Sequence, residues 1–145
     1  MLKTVTQILQ AKGSEVYKIS PETSVLDALG LMADKGVGAL VVVDDSGVVG
    51  IYTERDHVRK VDLEGLCSHR AAVRQVMSTQ VCYIPPHTTV DEAMALMTDN
   101  RCRHLPVMDR GDLIGLVSIG DLVKASLDEK EFVIEQLKRY IKDGH

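Results

Sequence analysis

GIYTERD, residues 50–56, returns as GLVSIGD, residues 115–121, at an offset of 115 − 50 = 65. Both copies keep a glycine (Gly50, Gly115), a hydroxyl (Thr53, Ser118) and an aspartate (Asp56, Asp121) at one spacing, but Arg55 of the first is matched by Gly120 in the second. Working outward, VYKISPETSVLDALGLMADKGVGALVVVDDSGVVGIYTERDHVRKV from Val16 lies over VCYIPPHTTVDEAMALMTDNRCRHLPVMDRGDLIGLVSIGDLVKAS from Val81 at the same offset, 81 − 16 = 65. The register holds without a gap through Pro21/Pro86, Ala28/Ala93, Met32/Met97, Leu40/Leu105 and Asp44/Asp109. A fixed offset over such a length marks one structural unit built twice. Val73, Val76 and Met77 also echo Val5, Ile8 and Leu9, at a different offset.

Each copy spells the same local order. A short strand (16–19; 81–84) meets a proline, and Ser24-x-x-Asp27 or Thr89-x-x-Glu92 then opens a helix as a capping box. Val25, Ala28, Leu29 and Met32, and Val90, Ala93, Met94 and Met97, recur at helical spacing and form one buried stripe per copy. Two strands follow, ALVVVD with VVGIYT and HLPVMD with LIGLVS, each pair joined by a short polar turn. A second helix begins at TERD or SIGD. The pattern predicts an α/β (α+β) fold of two tandem β-α-β-β-α repeats, with repeat one at 1–63, a connector at 64–71, repeat two at 72–127 and an amphipathic C-terminal helix at 128–145. One repeat of about 45 residues is too small to bury its sheet face alone, so the two should share their apolar surfaces. The tail SLDEKEFVIEQLKRYIKDGH spaces Phe132, Val133, Leu137, Tyr140 and Ile141 helically; folding back on its own domain and packing across a dimer are both open to it.

Composition narrows the function. Hydrophobic residues make up 45% and aromatics 3%, so the core must be built from Val, Leu, Ile, Ala and Met. A net charge of -4 with 26% charged residues argues against a wide basic field for nucleic acid. No apolar run approaches the roughly 20 residues of a membrane span, and the N-terminal segment lacks a signal-peptide block, so a cytoplasmic address is expected. Cys67, Cys82 and Cys102 are odd in number and form no C-x-x-C pair, which reads as reduced thiols without a metal. His57, His69, His87 and His145 do not cluster, and Met32, Met94 and Met97 belong to core stripes.

The tandem arrangement, the PVMD-type strand and the G-h-x-[ST]-x-x-D motif (h apolar) resemble the CBS-domain pair, or Bateman module, over residues 4–126. The resemblance implies two repeats packed sheet to sheet with pseudo-twofold symmetry, and a regulatory module sensing adenine nucleotides, NAD-type dinucleotides or S-adenosylmethionine. It implies no catalytic residue, no metal and no required cofactor. Thr53-x-x-Asp56 and Ser118-x-x-Asp121 also fit plain capping boxes, a role compatible with ligand binding. A helix N-terminus offers free N–H groups, and an acid beside it can accept from a ribose diol. In the family Asp56 and Asp121 would hold ribose hydroxyls, with Thr53 and Ser118 near the sugar or phosphate.

Charge distinguishes the copies. Arg55 stands directly before the aspartate of the first motif and His57, Arg59 and Lys60 follow it, whereas Arg101, Arg103 and His104 precede the middle strand of the second repeat, where the first has Gly36, Gly38 and Ala39. The family combines the aspartate of one repeat with the first strand and middle-strand approach of the other. One implied cleft therefore holds Thr53, Arg55 and Asp56 with Val81, Cys82, Arg103 and His104, and Arg74 as a further cation. Its charge suits a phosphate-bearing ligand. The other holds Ser118 and Asp121 with Val16, Tyr17, Gly38 and Ala39, and Lys12 as a weaker phosphate candidate. It suits an adenosine moiety or the far half of a dinucleotide.

The expected function is a sensor that binds AMP, ATP or NAD(H) and signals through a homodimer of CBS pairs, with an effector protein as a further partner. Three alternatives stay in view. A structural dimerisation module with vestigial clefts would explain the same fold. A nucleic-acid binder would use Arg55, Arg59, Arg70, Arg74, Arg101 and Arg103. A nucleotide-acting enzyme lacks a convincing constellation, since Asp44 and Asp45 belong to a turn.

Overall fold

The computed structural model describes residues 3–67 and 70–144; His69 and His145 lie outside the described residues. In chain order the elements are α1 (Val5–Lys12), β1 (Lys18–Ile19), α2 (Val25–Lys35), β2 (Ala39–Asp44), β3 (Gly47–Thr53), α3 (Glu54–Asp56), a π-helical stretch (His57–Asp62), a 3₁₀ turn (Val73–Gln75), α4 (Val90–Asn100), β4 (His104–Asp109), β5 (Asp112–Ser118) and α5 (Ile119–Gly144). They form two compact units: a contiguous one, Val16–Val81, and a split one, Met1–Glu15 with Cys82–His145.

These units do not follow the repeats as they run in sequence. In the contiguous unit Val25 N donates to Ala71 O, Val73 N to Thr23 O and Arg74 N to Pro21 O, at 2.8–2.9 Å. In the split unit Val90 N donates to Lys3 O, Val5 N to Thr88 O and Thr6 N to Pro86 O, at 2.9–3.0 Å. The two sets superpose under two offsets, 90 − 25 = 65 for the repeats and 73 − 5 = 68 for the segments docked on them. The echo of Val5, Ile8 and Leu9 in Val73, Val76 and Met77 thus has a structural cause. The segment preceding each repeat packs on the helix start of the other repeat. Even the local caps agree, for Gln7 Oε1 accepts from Thr4 N at 2.9 Å and Gln75 Oε1 from Ala72 N at 2.8 Å.

The capping boxes form where the sequence places them. Ser24 Oγ accepts from Asp27 N, and Thr89 with Glu92 closes both halves of its box. Both helices end on a left-handed residue, Gly36 (φ 65) and Arg101 (φ 53). Glycine takes that conformation freely, whereas Arg101 carries a Cβ into it.

The contiguous unit has a three-stranded sheet in the order β1-β2-β3, and the split unit a two-stranded β4-β5 sheet. Both hairpins carry a bulge at the same place, after Val42 and after Val107. The expected strand at 81–84 shrinks to a single parallel bridge, Ile84↔Val107. Its cause is Pro106. Val41, the equivalent position, donates its N–H to Tyr17 O at 3.1 Å, and a proline has no N–H to give.

Equivalent positions fill the two cores: Val25/Val90, Ala28/Ala93, Met32/Met97, Leu40/Leu105 and Val42/Val107 are all buried. The docked segments add Val73 and Val76 to one core, and Val5, Ile8 and Leu9 to the other. At about 1.5–3 kcal/mol for each fully buried aliphatic, these side chains make the docking segments part of the fold. One pair differs in chemistry. Tyr52 and His57 share a 2.9 Å Tyr52 Oη–His57 Nδ1 hydrogen bond where the split unit has the apolar Val117 and Leu122. His57 is therefore a structural histidine.

The second repeat's closing helix and the tail are one helix, α5, without a break at residue 128. Among the described residues no helix is long and apolar enough to cross a membrane.

Candidate functional site

β3 and β5 end in Thr53 and Ser118, and the chain turns there directly into α3 and α5. The glycines three residues earlier explain part of the motif without any ligand. A Cβ on Gly50 would lie 2.8 Å from Met77 Sδ and 2.9 Å from Ser78 O; one on Gly115 would lie 2.6 Å from Leu9 Cδ2. Met77 and Leu9 are themselves equivalent, 77 − 9 = 68. The motif glycine thus makes room for the docked segment.

The hydroxyl and the acid form a closed box in both copies. Asp56 N donates to Thr53 Oγ1 at 3.2 Å and Asp121 N to Ser118 Oγ at 3.1 Å. In return, Asp56 Oδ2 accepts from Thr53 N at 3.1 Å and Asp121 Oδ2 from Ser118 N at 2.9 Å. Both carboxylates are held at the point where strand passes into helix, with the helix dipole favouring their charge.

Beyond the box the sites diverge. Asp56 is buried, 8% exposed, and its Oδ1 accepts from Ser78 Oγ at 3.2 Å. Asp121 is instead paired with Lys12, whose Nζ lies 2.6 Å from Oδ2. Burial pushes the Asp121 carboxyl up, but hydrogen bonds from Lys12 and Ser118 and the lysine's charge outweigh it and hold its pKa below the ordinary value. Lys12, the weaker phosphate candidate in the sequence, is thus joined to the aspartate of the second motif.

Within each unit the middle-strand approach adjoins its own motif, a juxtaposition that the sequence reading does not draw. Gly38 O accepts from Glu54 N at 3.1 Å and Arg103 O from Ile119 N at 2.9 Å, while Ala39 pairs with Thr53 and His104 with Ser118. The contiguous unit so gathers Gly38, Ala39, Thr53 and Asp56; the split unit gathers Lys12, Arg103, His104, Ser118 and Asp121. Arg55 and Arg103 are exposed. Glu54 is a neighbour that sequence reasoning missed: its carboxyl would lie 3.8 Å from a Cβ on Gly38, where the split unit has Ile119. Ser78 was missed too, because it meets Asp56 across 22 residues.

Arg74 has an acidic partner of its own. Its Nε lies 3.3 Å from Glu22 Oε1, and its backbone N–H donates to Pro21 O, which ties it to the start of α2. Val16 and Tyr17 are half-buried, and Lys35 Nζ stands 5.7 Å from the centroid of the Tyr17 ring. Val81 closes the contiguous unit and Cys82 opens the second part of the split one. Burial and the neighbouring Cys82 push the Cys102 thiol up, so it stays protonated; all three cysteines are free. Among the described residues no group of His, Cys, Asp and Glu could hold a metal ion.

The family model for the CBS domain matches residues 10–59 and 73–128. The "CBS domain-containing protein CBSX3, mitochondrial" of Arabidopsis thaliana is 36% identical over 151 residues, which cover 98% of this chain and 73% of that protein. The solved structure of a protein with CBS domains from Burkholderia ambifaria matches with a TM-score of 0.83 at 50% identity, covering 87% of this chain and 95% of that one. CBSX2, solved in complex with AMP, matches with a TM-score of 0.69 at 31% identity over 88% of this chain and 98% of its own.

Proposed function

This chain belongs to the CBS-domain family, of which it carries two copies, and from that premise we propose that it is a regulatory module that binds adenosine-containing nucleotides at its two G-h-x-[ST]-x-x-D motifs. The observation that carries the reading is the repeated carboxylate, Asp56 and Asp121, fixed by the backbone N–H at the same strand-to-helix junction. A carboxylate so held is preorganised to accept from a ribose diol, and the AMP complex of CBSX2 supports the choice of ligand class. In this reading Thr53 and Ser118 stand near the sugar or phosphate, and Arg55, Arg103, His104 and Lys12 supply phosphate contacts. Val16, Tyr17, Val81 and Cys82 offer backbone groups to the base, and Gly38 and Ala39 leave it room. AMP, ATP and NAD(H) are the ligands to try first, and the signalling form is a homodimer of CBS pairs that engages an effector protein.

A thermal-shift panel of AMP, ADP, ATP, NAD, NADH and S-adenosylmethionine tests the proposal. A ligand that binds only the folded state raises the melting temperature by mass action. Shifts with AMP and NADH, lost in Asp56→Ala and Asp121→Ala when each variant is compared with its own ligand-free melt, are the expected result. No shift with any ligand would sink the reading. The closed hydrogen-bond set at Asp56 favours one competing reading, a structural module whose motif only starts a helix, and that reading predicts the null panel.

A further inference from the structure

α5 runs from Ile119 to Gly144, but only its first part is packed: Leu122, Ala125 and Ser126 are buried, whereas every residue from 131 to 142 is exposed. The exposed part is strongly apolar on one side. Leu127 is 55% exposed, Ile134 51%, Leu137 55% and Ile141 74%, and Val133 and Tyr140 flank them. Leu127, Lys130, Ile134, Leu137 and Ile141 are spaced 3, 4, 3 and 4 residues apart, the heptad seam of a two-stranded coiled coil. A lone helix of this length, unsupported by packing, is marginal in water.

The charges say what covers the seam. Its N-terminal half carries Glu129, Glu131 and Glu135, and its C-terminal half Lys138, Arg139 and Lys142. Among the described residues none of the six takes part in an ion pair within the chain, whereas Asp128 is held by Lys3 at 3.9 Å. Two such helices running in parallel would set acid against acid and base against base. Running antiparallel about a twofold axis near Ile134 and Leu137, each acidic half meets the other's basic half, and Glu131 and Lys138 beside the seam come opposite one another.

We propose that the exposed half of α5 is a self-association surface that pairs antiparallel with α5 of a second copy of this chain, burying Leu127, Ile134, Leu137 and Ile141. Val123, seven residues before Lys130 and 40% exposed, extends the seam toward the packed part of α5. This surface is separate from the nucleotide motifs and does not rest on their reading.

Two full-length variants test it. Leu137→Glu places a charge in the middle of the seam and should raise the dimer dissociation constant, measured by sedimentation on dilution, by at least roughly 30-fold. An unchanged constant would overturn the proposal. The second variant exchanges the charges of the two halves (E129K, E131K, E135K, K138E, R139E, K142E). It should pair with itself but not with the wild type, so native mass spectrometry of an equimolar mixture should show the two homodimers in excess. Statistical mixing or preferred heterodimers would overturn antiparallel pairing. A wild type that stays monomeric but floats with phosphatidylcholine–phosphatidylglycerol vesicles, with Leu137→Glu abolishing flotation, would overturn it in favour of a lipid surface. Leu137→Glu should keep any AMP-induced thermal shift, which separates failure of this proposal from failure of nucleotide binding.

Discussion

Lys12 Nζ lies 2.6 Å from Asp121 Oδ2, so the aspartate of the second motif already holds a cation, while Asp56 of the first holds the neutral hydroxyl of Ser78. Because the folded-state pKa of Asp121 is depressed, the pair's stabilisation is present above the unfolded value of about 3.9 and is lost as pH falls through the folded value. Lys12→Met should raise the Asp121 pKa and flatten the acid limb of stability against pH. Carboxyl-carbon NMR titration of both proteins checks the shift. An Asp121 that titrates identically in each would show that the lysine contributes nothing.

Asp56 accepts from Thr53 N, Thr53 Oγ1 and Ser78 Oγ. Asp56→Ala leaves these donors without their acceptor in a buried place and should cost about 1–3 kcal/mol in urea unfolding. Ser78→Ala removes one neutral bond and should cost no more than about 1.5 kcal/mol.

Tyr52 is fully buried, and burial, with the charges of Asp56 and Asp62, raises its pKa to about 12. The folded protein therefore keeps a proton that the unfolded chain releases near pH 10. Stability should be unaffected by this group below pH 10 and fall as pH rises from 10 toward 12. Tyr52→Phe should remove that alkaline slope while losing the bond to His57. Ultraviolet titration of the phenolate, followed beside denaturant melts, reads both effects.

The two motif glycines should differ in tolerance. Gly50→Ala drives a methyl against a backbone carbonyl, Ser78 O, and should destabilise by about 1–3 kcal/mol. Gly115→Ala meets Leu9 Cδ2, Cδ1 and Cγ, a side chain rather than the backbone, and should cost less, on the order of the 0.5–1.5 kcal/mol of an off-rotamer side chain. Equal losses in thermal melts would contradict this account of the motif.

What the sequence made legible was local or repeated. Ser24, Thr89, Thr53 and Ser118 announce helix starts because a cap and its partner lie three residues apart, and the offset of 65 carries each reading to its twin. Contacts between distant residues carry no such period. Lys12 meets Asp121 across 109 positions, Arg74 meets Glu22 across 52, and nothing in the flanking residues marks either pair. The loss of the strand at 81–84 follows from Pro106, yet that proline acts through the pairing of a different strand. The boundary expected at residue 128 falls inside α5, where Ser126 lies buried and its hydroxyl accepts from Lys130 Nζ at 3.2 Å.

The exchange of docking segments also sets an order of events during synthesis. Thr6 bonds Pro86 across 80 positions, so α1 leaves the ribosome long before the chain it packs on has been made. At about 5–20 residues per second that wait lasts roughly 4–16 seconds. The contiguous unit, Val16–Val81, is complete 86 − 81 = 5 residues before Pro86 and 125 − 81 = 44 residues before Ala125, the last buried residue of the core that α1 joins, so it can close first. The nascent chain then carries a closed contiguous unit beside an unpaired α1, whose apolar face of Val5, Ile8 and Leu9 stays uncovered until the split unit is made.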